Sequence, residues 1–223
     1  MKNNRIAINS KQENRLQIDN AVAYHLAGHA VAICLGNKQK QLPDVHFQIL
    51  INQPMRDKRA SRSFTADMGG YNAIIEGGRL IQHLLFKLTE ALHRLPNKQQ
   101  RDEFKRAFEA DIINLLVGPL AEAKFVAIRD GKAFNANLVN IVGLSPYDGK
   151  PDSSLIVEYM DCFLFDQKDY GRMKGLFMEA YGFVNNATNW FAISSLAGHI
   201  LGKPVGCIDY EEVVSLMESR LAA

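Results

Sequence analysis

The sequence predicts a mainly α (α+β) fold. Apolar residues recur at helical spacing through most of the chain, as in Ile75, Leu80, Ile81, Leu84, Leu85, Leu88 and Leu92. β-branched residues in alternation mark one strand-like run, Val45–Ile51, and Arg62–Met68 can return from it as a hairpin. A length of 223 residues, 47% of them hydrophobic, suits one medium domain with a substantial core.

Residues 1–17 are polar and are expected to form a loosely ordered N-terminus, leaving 18–223 as a single domain. Asp19 or Asn20 can cap a first helix running through AVAYHLAGHAVAICLG, which Gly36-Asn37 should stop. The strand Val45–Ile51, a turn over Pro54–Arg62 and a returning strand Arg62–Met68 form the expected hairpin. Beyond Gly69-Gly70 the apolar spacing predicts a helix over Ala73–Leu95, broken by Pro96-Asn97. A helix over Lys98–Val117 follows. Gly118-Pro119 should bend the chain into a further helix, Leu120–Ile128. Residues 129–151 read as a long loop of the kind that often carries function. Helices are then expected over Ser153–Phe165, over Asp169–Leu201 with a break near Gly182, and over Tyr210–Leu221 with Asp209 as its cap.

Charge is nearly balanced, with 26 basic and 24 acidic residues, so neither nucleic acid nor an anionic membrane is implied as a partner. The basic cluster Arg56, Lys58, Arg59 and Arg62 fits a solvated loop. Cys34, Cys162 and Cys207 are odd in number and far apart, which points to a reducing, cytoplasmic setting. The polar N-terminus is not a secretory signal, and no apolar run approaches the ~20 residues of a membrane span. No GxxxxGK[ST] phosphate loop is present. A homo-oligomer is compatible with all of this.

One segment carries chemistry. His25 and His29 stand at i and i+4, where helical side chains share a face and two imidazoles can reach one zinc ion. In an HExxH site a glutamate after the first histidine takes a proton from the zinc-bound water. Here that position is Leu26, which can neither accept a proton nor orient a water. The pair alone is a weak signal, because six histidines produce accidental i,i+4 pairs and core histidines are commonly hydrogen-bonded packing residues.

Context sharpens it. Tyr24-His25-Leu26-Ala27-Gly28-His29-Ala30-Val31 resembles the YHEAGHAV segment of peptidase family M41, the protease domain of the membrane-anchored AAA proteases called FtsH. Leu115-Leu116-Val117-Gly118-Pro119-Leu120-Ala121-Glu122-Ala123 looks like that family's second signature, and Asn185–Leu221 is similar to its closing helices. The resemblance covers about two-thirds of the chain and implies a zincin-like M41 helical domain with a small β-hairpin or sheet. It implies zinc as cofactor, with His25 and His29 as ligands. The third ligand falls near Asp152, although the register allows Ser154 and Asp152 can equally cap a helix. Glu122 is a candidate partner of a ligand, or a substitute ligand or base, and His199 a candidate third nitrogen. No AAA module or membrane anchor is present in the sequence. With Leu26 at the general-base position the expectation is a catalytically inactive M41-like protein, without a catalytic residue. It would hold a peptide or protein partner in the former active-site cleft. The alternatives are an active zinc-dependent peptidase using Glu122 or Asp152 as base, and a metal-free structural subunit.

Overall fold

A computed structural model describes residues 18–51, 64–67, 72–81, 94–138, 169–203 and 205–221. The first helix, α1 (Asn20–Val31), starts where the Asp19 carboxylate accepts a hydrogen bond from the Ala21 amide at 2.7 Å. Ten of its twelve residues are buried, so α1 is apolar all round and runs through the interior. It does not stop at Gly36. A π-helical segment, Ala32–Gly36, and a last turn, Asn37–Gln39, carry it on. Gly36 keeps right-handed helical angles, and the left-handed residue that follows is Gln41, at φ 55°. Asn37 is buried and accepts a hydrogen bond from the Asn114 side chain at 3.3 Å, so a polar tertiary contact holds the extra turn.

Strands β1 (Phe47–Ile51), β2 (Phe64–Asp67), β3 (Asn72–Gly77) and β4 (Gly206–Asp209) form one antiparallel sheet, in the order β2-β3-β1-β4. Two expectations are corrected here. The returning strand is not the partner of β1: β2 pairs with β3, Phe64 opposite Ile75 and Asp67 opposite Asn72. The helix expected from Ala73 is a strand at its start. Ala73 and Ile75 are buried while Ile74 and Glu76 are half-exposed, a period of two. The short apolar run fits both periods, and pairing with β1 settles it. Gly77 ends the strand at φ 85°, and a Cβ there would stand 2.6 Å from the His46 carbonyl oxygen. Residues 82–93 of that expected helix lie outside the described residues. β4, which sequence periodicity did not suggest, pairs with β1 over Gly206–Asp209.

The second helix, α2, is continuous from Lys98 to Arg129 with Pro119 inside it, where the sequence suggested two helices and a bend. An interior proline removes one backbone hydrogen bond and typically costs about 3 kcal/mol. The stretch Phe108–Ala121 is buried almost throughout, and packing on both sides of the proline holds the helix together. α3 (Asp169–Asn185) and α4 (Ala187–Leu201) are separated not at Gly182 but at Asn186, whose side chain accepts from the Asn189 amide at 3.1 Å. The last helix, α5 (Tyr210–Leu221), has Asp209 accepting from the Glu212 amide at 2.8 Å, as its sequence predicts. α1 lies against α2, α4, β2 and β3, and α3 packs on α2. Among the described residues no helix is long and apolar enough to cross a membrane.

Candidate metal centre

The site is built by the crossing of α1 and α2. Gly28 faces α2 so closely that a Cβ there would stand 2.8 Å from Ala121 Cβ and 2.9 Å from the Val117 carbonyl oxygen. On the other side, a Cβ on Gly118 would fall 2.2, 2.4 and 2.5 Å from Nε2, Cε1 and Cδ2 of His29. Those near-equal distances place Gly118 over the face of the imidazole ring, clear of its lone-pair axis. Two glycines, one from each sequence signature, thus let the backbones approach and seat the histidine.

The same crossing fixes both rings. His29 Nδ1 donates to the main-chain carbonyl of Asn114 at 2.8 Å, and His25 Nδ1 meets Glu122 Oε2 at 2.8 Å. A carbonyl only accepts, and an ionised carboxylate only accepts, so each Nδ1 carries the proton and each Nε2 presents a lone pair. The two Nε2 atoms face each other at 3.0 Å. Two lone pairs on that line would repel, so a contact of this length fits a proton or a metal ion shared by the two Nε2 atoms. Two nitrogens bound to one tetrahedral zinc at 2.0–2.1 Å lie about 3.3 Å apart, so a small opening of the rings would admit the ion. His29 is fully buried and His25 nearly so, while the Glu122 side chain keeps 24% of its surface exposed. Solvent therefore meets this chain of groups at the Glu122 end.

Leu26, at the place of the glutamate in an HExxH motif, is completely buried among core residues. His199 stands apart from the pair: its Nε2 meets Glu212 Oε1 at 2.6 Å, and Lys203 Nζ donates to the same oxygen at 2.5 Å. Asp152 and Ser154 lie outside the described residues. Within those residues no group of three or more His, Cys, Asp or Glu side chains is arranged to hold a metal ion. The histidine pair thus fits as two ligands of a site whose third is not among them.

The rim beside Glu122 is aromatic. Tyr24 stacks on Phe125 at 4.3 Å and 18°, and on Trp190 at 5.4 Å. Lys124 Nζ lies 4.4 Å over the Trp190 ring and donates to the Val184 carbonyl at 2.9 Å. Burial lowers the Lys124 pKa. Ile193 and Leu196 lie in the core and Trp190 packs against it, while Phe191 is exposed. What sequence reasoning missed was the Asn114 carbonyl, which carries no side-chain signal. No protein-family model matches the chain, and neither a curated protein nor a solved structure matches it.

Proposed function

We propose that this protein is a catalytically inactive M41-like metallopeptidase relative that keeps a zinc-binding histidine pair and acts by binding a peptide or protein partner. One observation carries the proposal: His25 and His29 bring their Nε2 atoms to 3.0 Å of each other while each Nδ1 is held by a separate acceptor. Outer acceptors that fix the tautomer and ring orientation are the usual companions of metal-ligating histidines. A core histidine kept only for packing needs one such anchor, not two rings so opposed.

Zinc in such a site can polarise a carbonyl or activate water, and the protein must then supply a base. Leu26 cannot be that base. Glu122 engages His25 from the Nδ1 side, across the ring from the metal-facing Nε2, so we assign it a positioning role. Partner binding is supported by the sheet. β2 lies at its edge with no strand beyond it among the described residues, and α1 packs against it. An edge strand beside the histidine helix suits addition of an extended peptide.

The test is metal content after purification without chelator. About one zinc per chain, lost in His25→Ala/His29→Ala and weakened ~10–100-fold in affinity by Glu122→Gln, is the expected result. A metal-free protein whose melting temperature ignores added zinc would sink the metal proposal. It would favour the second reading, a proton shared between the two Nε2 atoms in a purely structural chain, which the same 3.0 Å contact also allows.

A further inference from the structure

Asn114 of α2 grips the first helix at two places. Its main-chain carbonyl accepts from His29 Nδ1 at 2.8 Å, and its side-chain amide donates to Asn37 Oδ1 at 3.3 Å. The π-helical segment Ala32–Gly36 lies between the two gripped residues. From position 29 to position 37 a regular α-helix makes about 2.2 turns, which would swing Asn37 roughly 80° away from the His29 side. A π-helical turn takes in one residue more than an α-helical turn. One such turn brings the span back to about two turns, so Asn37 falls on the same face as His29. Both residues can then meet Asn114.

Stability alone does not account for the Asn37 contact. Asn37 and Asn114 are each only 1% exposed, and Asn37 Nδ2 is buried without a hydrogen-bond partner. An unsatisfied buried donor is destabilising, and two apolar residues of the same shape would avoid it. The placing of the pair does account for it. The residue that Asn37 holds is the one whose carbonyl holds the histidine.

We propose that Asn37 is a positioning residue for His29, acting through Asn114. By tying the π-helical end of the first helix to α2, it fixes the Asn114 carbonyl on Nδ1 and so the plane of the imidazole ring. Nδ1 lies across the ring from the contact with His25, so this role is the same whether the two Nε2 atoms share a proton or a zinc ion.

The His29 Nδ1 proton reports on the role by its rate of exchange with water, followed by NMR on the full chain with a chelator present. Two variants divide the functions of the side chain. Asn37→Leu keeps nearly the same shape without an acceptor, and Asn37→Asp keeps an oxygen for the Asn114 amide. Ring-proton exchange is expected to quicken about fivefold in Asn37→Leu, the effect of losing one hydrogen bond, beyond any change at the Val22 and Leu26 amides of the same helix. In Asn37→Asp it should return toward the wild-type rate. Equal quickening of ring and amide protons in Asn37→Leu would mean that Asn37 only stabilises the fold, and would overturn the assignment. So would an unchanged ring-proton rate, or an Asn37→Asp rate no slower than that of Asn37→Leu. If neither variant folds, wild-type exchange across a urea series decides. The ring proton and the Asn114 side-chain amide should then become exposed in one opening, and a ring proton that exchanges while that amide stays protected rules the clasp out. The zinc content of the same proteins bears on the metal reading alone.

Discussion

Leu26 follows His25, where an HExxH motif has glutamate, and its side chain is wholly inside the apolar core. A carboxylate there would need a partner or a charge to offset its desolvation. A leucine needs neither, so this position serves packing beside the polar anchors of His25 and His29. The residue that the pair tolerates least is Gly118. Replacing it by alanine puts a methyl group 2.2 Å from His29 Nε2. Either the ring or the helix must move, which for an overpacked core costs typically about 1–3 kcal/mol. Gly118→Ala is therefore expected to lower the melting temperature and, under the proposed zinc-binding role, to weaken metal affinity together. Full stability and full metal content in that variant would show that the helices do not meet as described. Of this site, the sequence made His25, His29 and Glu122 legible through their motifs. The Asn114 carbonyl and the meeting of two Nε2 atoms were not, because main-chain acceptors and ring orientations are set only when α1 and α2 cross.

At the scale of elements, the C-terminal helix α5 is tied to the end of α4 by one carboxylate. Glu212 accepts from Lys203 and meets His199. Its pKa falls below the ordinary 4.5, mainly through the Lys203 hydrogen bond, with burial opposing and His199 assisting. A carboxylate with a depressed folded pKa adds stability above its unfolded pKa and loses it as pH falls through the folded value. Stability should thus drop as pH is lowered below 4.5, and Glu212→Gln should remove that part of the drop. About a third of each side chain is exposed, so solvent screening holds the effect to about 1 kcal/mol or less. Melting curves of both proteins on an acid series measure it, and identical acid slopes would rule the tie out as a source of stability. The elements also show where local signals fail. Gly118-Pro119 is a strong local breaker, yet α2 passes through it because its buried face is packed on both sides. The apolar run at Ala73–Ile75 fits either period until β1 pairs with it.

Across the whole molecule, Cys34 reports on integrity. It is buried in the core, and desolvation, with Asp44 adding to it, pushes its thiol up to about 12. The reactive thiolate is thus almost absent in the folded protein near neutral pH. Alkylation followed by mass spectrometry should label the exposed Cys207 in native conditions and leave Cys34 unmodified until the chain unfolds. Equal labelling rates for the two in native buffer would contradict the packing of α1. The sequence by itself determined the helical character, the position of α1, the cap of α5 and the residue types of the site. All of these follow from local capping, apolar spacing and a short motif on one helix. Tertiary structure alone decided the strand order β2-β3-β1-β4, the continuity of α2 and the placing of Glu122 on His25 rather than elsewhere. Strand partners, tolerance of a proline and the reach of a carboxylate across 97 positions depend on contacts between segments distant in the chain, and no local pattern encodes them.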